Sequence, residues 1–304
     1  MSLILRRLGG GLFAIFGAVT LVFLILYWLP GDPAALIAGD DASQETIDRI
    51  RAHLGTDRPL WDQYVAYLSG LAHGDLGKSF STNQPVLDRL LAQIPATLAL
   101  TALGSAFAIL TGLALGVVSA VNKDRWIDRT IQTILLFLVS MPSFWIGILL
   151  ILFFSVTLRW LPAIGNGSLA QLVLPVACLG FSAAGRLARL VRSSVIEVLD
   201  EPFVTALRGK GLLERQVLYR HVLRNALIPV VTLLGIIVGY LLSSAVVIET
   251  LFARQGVGRL LVEAIGVRDI PMVQGAVLFA ALSYVLINTL VDVSYIWIDR
   301  RIRP

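Results

Sequence analysis

The sequence predicts an all-α membrane protein with six transmembrane helices and both termini in the cytoplasm. Of its 304 residues, 57% are hydrophobic and 15% are charged, a balance that excludes an ordinary soluble domain of this size. Uncharged runs long enough to cross the roughly 30 Å of bilayer hydrocarbon give the number of helices, each of which satisfies its own backbone hydrogen bonds. The runs are Leu8 to Gly31, Leu90 to Asn122, Thr130 to Leu158, Trp160 to Gly185, Asn225 to Ile248 and Ile270 to Val291.

The distribution of basic residues predicts the orientation. With the N-terminus inside, the cytoplasmic segments hold most of the 25 lysines and arginines, as the positive-inside rule requires. The first run is longer than the apolar core of a signal peptide, and Tyr27 to Pro30 is not a small-residue cleavage site. It is therefore predicted to be a retained helix. This asymmetry accounts for the net charge of +5, so nucleic acid is not predicted as a partner.

The predicted organisation has three parts. Residues 1–29 form an N-terminal segment and the first transmembrane helix, 30–96 an extracytoplasmic region, and 97–304 a core of five transmembrane helices. The proline, glycine and aspartate content of the extracytoplasmic region predicts turns around short helices. That region is either a structured cap on the outer face or a docking surface for a soluble protein that delivers substrate, and its composition leaves both open.

One stretch of the extracytoplasmic region imitates a phosphate-binding loop. Gly77, Lys78 and Ser79 match the end of that motif, but the position that requires its first glycine holds Ala72. No predicted strand precedes the stretch, and it faces away from cytoplasmic ATP. Nucleotide binding is therefore not predicted there, and the chain is predicted to carry no ATPase of its own.

No set of residues in the sequence has the spacing of a catalytic or metal site. Cys178 is the single cysteine, and the three histidines, His53, His73 and His221, are too scattered for metal-ligand spacing. No nucleophile, base and orienting acid stand together. The chain is therefore predicted to be a non-catalytic membrane protein without a bound metal or cofactor.

A proline interrupts the third apolar run. The four residues concerned are Ser140, Met141, Pro142 and Ser143. Proline frees a backbone carbonyl and bends a helix, which membrane depth tolerates only against protein or a water-filled cavity. The segment is either a kink that helps packing or part of the lining of a translocation path.

Two further polar residues are candidates for that path. Glu249 ends the fifth run, where it is predicted to sit in the headgroups or to line an outer gate. Asn288 lies within the last run, where polar groups are functional candidates. Asp292 lies nearer the cytoplasmic end of that run and is predicted to pair with Arg300 or a neighbouring arginine.

The long polar segment 186–224 is predicted to be a cytoplasmic loop, because it holds eight basic residues against four acidic ones. Within it, Asp200, Glu201 and Pro202 predict a helix start with an acidic cap, and Gly209 and Gly211 predict its end. A helix of about two turns is marginal in water and needs a surface to dock on.

The side chains of this short helix suit docking. Phe203, Val204, Ala206 and Leu207 are predicted to make apolar contacts, while Thr205 and Arg208 stay polar. Spacing alone leaves two interpretations open, an amphipathic connector that lies on lipid headgroups or an element that binds another protein.

The amino-acid sequence of this loop resembles the signature loop of ABC-importer permeases, and more narrowly that of the oligopeptide/dipeptide/nickel branch. The general pattern is Glu-Ala-Ala, three residues, Gly, nine residues, Ile, one residue and Leu-Pro. Gly211 falls at the required spacing, whereas Thr205 and Arg224 replace the glutamate and the proline. The implied docking segment comprises Glu201, Pro202, Phe203, Val204, Thr205, Ala206, Leu207, Arg208, Gly209, Lys210, Gly211 and Leu212. Other stretches similar to the family are Pro30 to Pro33, Asp57 to Leu60, Gly74 to Ser79, Pro95 to Leu98, Met141 to Gly147, Trp160 to Ala163, Thr250 to Ile265, Arg268 to Gly275 and Ile298 to Arg303.

This resemblance implies the type I ABC importer permease fold, in which segment 201–212 is a coupling helix that docks an ATPase. It implies one of two homologous permease subunits, two cytoplasmic ATPases that bind ATP and Mg, and an extracytoplasmic substrate-binding protein, in a bacterial inner membrane. The implied cargo is a dipeptide, oligopeptide or peptide-like solute, with nickel or a metallophore as the alternative.

A self-contained secondary transporter is the rival class. Its expected marks are an ionisable residue deep in a span and an inverted internal repeat. Neither is visible in the sequence, so the ATP-driven class is preferred.

Overall fold

The computed structural model describes residues 2–28, 31–39 and 42–298. Within these ranges the chain is helical and contains no β-strand. The first helices are α1 (Ser2–Trp28), α2 (Pro33–Ala38), α3 (Gln44–Leu54), α4 (Leu60–Ala72), α5 (Val86–Val121), α6 (Trp126–Ser140) and α7 (Ser143–Leu150), which continues as a π-helical segment, Ile151–Thr157. They are followed by α8 (Ala170–Leu199), α9 (Pro202–Gly209), α10 (Glu214–Gln216), a π-helical segment (Val217–Val222), α11 (Leu223–Ala226), α12 (Ile228–Leu251), α13 (Val257–Gly266) and α14 (Ile270–Ile298).

Several of these helices can cross a bilayer, which confirms the all-α membrane class. By length and composition, five described helices qualify as spans: Gly9–Trp28, Val86–Val121, Ala170–Leu199, Ile228–Leu251 and Ile270–Leu290. The pair α6 and α7 with its π-helical extension qualifies as a sixth if it counts as one span, and it bends by 110° at its break. The sequence therefore predicted a break in the right place but a straighter segment than the structure shows.

The chain divides into two compact units, Met1–Thr97 with Gln255–Leu286 and Leu98–Arg254 with Ile287–Pro304. The first unit contains α13 and a small apolar core that includes Val86, Val257 and Met272. The short helices 33–72 belong to it as well. The Asp32 carboxylate accepts a hydrogen bond from the Ala34 amide at the start of α2 and another from the Arg51 side chain of α3, so it connects these two helices. The predicted short helices between turns are therefore present.

The second unit is built around α8. Leu187, Val191 and Val195 recur at helical spacing on its inner face and are fully buried. Where α5 crosses α8 the packing leaves no room for a side chain at Gly180, since an added Cβ would lie 2.5 Å from the Phe107 ring. Small residues of this kind let helices approach closely in lipid.

The extent of α8 corrects the predicted loop 186–224. The helix runs to Leu199, so residues 186–199 belong to it rather than to a loop. Its other end also differs, because Trp160 to Leu169 precede the helix instead of forming its first turns. Charge made 186–199 look like a loop, but the spacing of Leu187, Val191 and Val195 is that of a helix with one buried face.

Candidate functional site

The short helix α9 occupies the stretch that the sequence singled out. Glu201 is its N-cap in extended conformation, and Pro202 takes the first helical position. The predicted acidic cap is wrong in one respect, because no side-chain hydrogen bond caps this end. The helix ends at Gly209, and Gly211 adopts a φ of +79°, a conformation that glycine reaches without strain.

Two faces of α9 have different environments. Val204 is fully buried and Leu207 is half-buried, and both pack into the core of their own unit. The opposite face is exposed and carries Pro202, Thr205, Ala206 and Gly209 at helical spacing, with Phe203 beside it. The predicted apolar contacts are thus divided: Val204 and Leu207 anchor the helix, whereas Phe203 and Ala206 stay free at the surface.

The connection that follows α9 is tied back to it. The Arg208 guanidinium donates to both oxygens of Glu214, at 2.7 and 3.2 Å, and this hydrogen bond raises the pKa of Arg208. The pair is solvent-exposed, so its contribution to stability is small. Beside it lies an open cavity of about 580 Å³ in the same unit. Its charged and aromatic lining includes Lys123, Asp200, Arg208, Glu214, Arg215 and Tyr219.

A buried polar cluster joins α5, α6 and α8 within the second unit. Both oxygens of Asp128 accept hydrogen bonds from Arg192, at 2.8 and 2.6 Å. Ser119 donates to the same carboxylate, and Gln132 donates to Ser119 at 2.8 Å. A two-point contact of this kind fixes the orientation of both side chains. The cluster therefore holds the C-terminal part of α8, which leads into α9, against α5 and α6.

The break between α6 and α7 lies against α8. Ser140, Met141 and Pro142 are exposed and Ser143 is half-buried, while the Cys178 thiol donates to the Ser143 carbonyl at 3.2 Å. The break is thus attached to the core on one side and open on the other. A role in a translocation path stays a prediction.

Glu249 is fully buried within the protein. Its predicted place, at headgroup level or at an outer gate of the path, stays a prediction. Nearby, Arg254 is 8% exposed, and its Nη1 makes only long hydrogen bonds, at 3.4 and 3.5 Å, to the Gly165 and Gln171 carbonyls. Burial lowers the pKa of Arg254, and the charge of Glu249 opposes that shift.

The last helix carries the remaining candidates. Asn288 is half-buried in α14, and its role in the path stays a prediction. The predicted pair of Asp292 with Arg300 lies outside the residues whose side chains the structure describes. In the described part of the chain, no group of three or more His, Cys, Asp or Glu residues is placed to hold a metal ion.

Sequence reasoning missed the two buried ionic sites. Asp128 and Arg192 are 64 residues apart, and nothing local links them. The Asp269 carboxylate accepts a hydrogen bond from the Ser79 hydroxyl, 190 residues away in the sequence. The signal that was available is the presence of Asp128 and Asp269 at the edges of apolar runs, where a lone carboxylate requires a partner.

Two family models together match almost the whole chain. Residues 112–304 match the binding-protein-dependent transport system inner membrane component, and residues 1–101 match the N-terminal membrane component of such systems. The chain belongs to this family. The permease is accordingly an integral inner-membrane protein of the ABC importer class, and the resemblance drawn from its motifs is confirmed.

Full-length relatives and solved structures agree with this assignment. The permease is 44% identical over 310 residues to a putative peptide transport system permease protein of Brucella abortus, with 99% of each chain covered. It is 41% identical over 303 residues to a glutathione transport system permease protein of Escherichia coli K12, covering 100% and 99%. The inward-facing MetNI methionine ABC transporter matches its fold with a TM-score of 0.60 at 22% identity, covering 70% of the permease and 97% of that chain.

Proposed function

We propose that the permease is one of two homologous transmembrane subunits of an ATP-driven importer for dipeptides, oligopeptides or peptide-like solutes such as glutathione. The observation that supports this most strongly is the full-length similarity to permeases named for peptide and glutathione transport. Substrate reaches the pair from an extracytoplasmic binding protein, and two cytoplasmic ATPases bind ATP and Mg.

In this proposal α9 is the coupling helix. Its buried side, Val204 and Leu207, fastens it to the permease, while its exposed side presents the small residues Thr205, Ala206 and Gly209 to a cleft of the ATPase. Small side chains allow close approach. When ATP closes the two ATPases, α9 moves with the cleft, and the bundle changes between inward-open and outward-open states. The permease itself performs no covalent step.

Reconstitution tests this function. The permease is assembled with its second permease, the ATPases and the binding protein in vesicles, and uptake of labelled dipeptide and glutathione is measured with and without ATP. Uptake of at least one of them that requires ATP, Mg and the binding protein is expected. Uptake by the permease alone, indifferent to ATP, would instead establish a secondary transporter. ATP-dependent uptake of nickel or a metallophore, with neither peptide carried, would assign the alternative cargo.

A further inference from the structure

The C-terminal half of α8, residues 186–199, exposes only polar side chains. Its outward stripe consists of Arg186, Arg189, Ser193 and Glu197, spaced by three and four residues. A helix face that touches lipid is apolar, and charged residues within spans face protein or water. This stripe of α8 is therefore unsuited to lipid over its whole length.

A neighbouring stripe of α12 is also partly polar. The residues exposed along it are Ile236, Tyr240, Ser243, Val247 and Thr250, again at helical spacing. Three of these side chains carry hydroxyl groups. α8 and α12 pack against each other in the second unit, and the contact between Arg186 and Tyr240 joins the polar positions of the two stripes there; we call these positions the polar wall.

The two stripes meet at Arg186 and Tyr240. The Arg186 Cζ lies 4.0 Å from the centroid of the Tyr240 ring, within the range of a cation–π contact. Tyr240 is near the middle of α12, about 18 Å from either end at 1.5 Å per residue. In an α12 that spans the bilayer, this position falls within the hydrocarbon core, and the contact holds the Arg186 guanidinium at the same level.

Arg192 gives an independent measure of that depth. It reaches Asp128 in the first turn of α6, which marks one end of the bundle. Arg186 lies six positions earlier in α8, about 9 Å farther from that end. Helical side chains also slant toward the N-terminus of their helix, which carries its guanidinium still farther from the Asp128 end.

Arg186 keeps its hydrogen-bonding capacity. Its one contact among the side chains that the structure describes is the face of Tyr240, which engages the plane of the guanidinium and leaves its edge open. The Arg192 side chain, by contrast, uses its Nε and Nη2 donors in hydrogen bonds to Asp128. A guanidinium edge matches a carboxylate in a two-point hydrogen bond.

We propose that Arg186, stacked on Tyr240, lines the translocation path and binds the carboxylate of the substrate during its passage. The site is open to the path through the polar wall of α8 and α12. It rests on the proposed function in one respect, that the cargo is a peptide-like carboxylate. Tyr240 is a positioning residue that keeps the guanidinium extended, and Arg186 is the group that touches the cargo.

Charge removal is the first test. In the reconstituted complex, Arg186→Gln is expected to reduce uptake at saturating binding protein about tenfold, the factor that loss of one charge-assisted hydrogen bond gives, while ATP hydrolysis continues. Arg186→Lys should retain part of the uptake. Arg129→Gln, which removes an exposed arginine from α6, serves as the matched control and should transport normally.

Substrate protection is the second test. Cys178 is the single cysteine, so Arg186→Cys in a Cys178→Ala background places one thiol in the wall. A water-soluble thiosulfonate is expected to label it, and the transported peptide should slow labelling in the nucleotide-free complex. Failure to label, or labelling that the peptide does not slow, overturns the proposed site.

Three outcomes distinguish failure of the Arg186 site from failure of the proposed transport function. If the wild-type complex takes up no peptide, the proposed function fails and the site fails with it. If the wild type transports but Arg186→Gln matches it, only the site is wrong. If Arg186→Gln no longer co-purifies with the second permease, Arg186 is a subunit contact and the proposal is overturned.

Discussion

One buried carboxylate, that of Asp269, connects separate segments of the first unit. Asp269, between α13 and α14, is 1% exposed and accepts hydrogen bonds from the Ser79 and Ser81 hydroxyls and from the Phe80 amide. Ser79, the last residue of the stretch that imitates a phosphate-binding loop, therefore binds a carboxylate of its own chain. Burial alone would raise the pKa of Asp269, but these hydrogen bonds outweigh burial and lower it.

The lowered pKa gives a stability prediction with a definite sign. A carboxyl group with a folded pKa below its unfolded value, about 3.9, contributes stability above that value and loses it as pH falls through the folded pKa. Ser79→Ala removes one hydrogen bond to the charge and is expected to cost about 1.5–3 kcal/mol at pH 7. Thermal unfolding in detergent should show the largest difference from wild type at pH 7 and a shrinking one below pH about 4.

Ser69→Ala supplies the control for this measurement. Ser69 is an exposed serine of α4 in the same unit, so its replacement should leave the unfolding temperature unchanged at every pH. A Ser79→Ala difference that does not depend on pH would show that packing, rather than the Asp269 charge, is responsible.

At the scale of elements, α9 shows which features local sequence determines. Its bounds were predictable because Pro202 favours a first turn and Gly211 favours a left-handed residue, and both effects act over a few residues. Which of its side chains face inward was not predictable, since Val204 is buried by contacts from elsewhere in the second unit. The same reason explains Glu249: its burial depends on tertiary packing that no run of α12 residues encodes.

The exposed face of α9 gives the second prediction. Ala206→Asp places a charge on that face and Gly211→Val forces a β-branched residue into a φ of +79°, a strained conformation. Both variants are expected to lose ATPase association by at least tenfold in co-purification, and uptake with it, while inserting in the membrane normally.

Arg215→Ala supplies the comparison, because Arg215 is exposed beyond the end of α9. It should keep the full ATPase complement. Ala206→Asp and Gly211→Val complexes that carry the full ATPase complement and transport normally would contradict the role of α9 as the coupling helix.

Over the whole molecule, composition was enough for the class and local pattern for most helices. The apolar runs predicted α5, α12 and α14 to within a few residues of their starts, because a span must be long and uncharged. The count was harder: the bend of 110° between α6 and α7 depends on how both pack against α8. Arg186 was predicted to lie in a loop because it is charged, but it lies within α8. The helical spacing of the apolar residues that follow it was the better guide.

The orientation of the whole chain is the last prediction, and it comes from charge. The positive-inside rule places the α9 segment in the cytoplasm and the 30–96 region outside, so opposite ends of α8 must react from opposite sides. With Cys178 replaced by alanine, a single cysteine at Ser69 or Ser168 is expected to react with an impermeant maleimide in intact cells. A cysteine at Lys123 or Leu213 should react only after the membrane is opened. All four positions are partly or fully exposed, so burial does not account for a difference. The reverse pattern would put α9 on the outer side, where no ATPase can reach it, and would remove the basis for coupling.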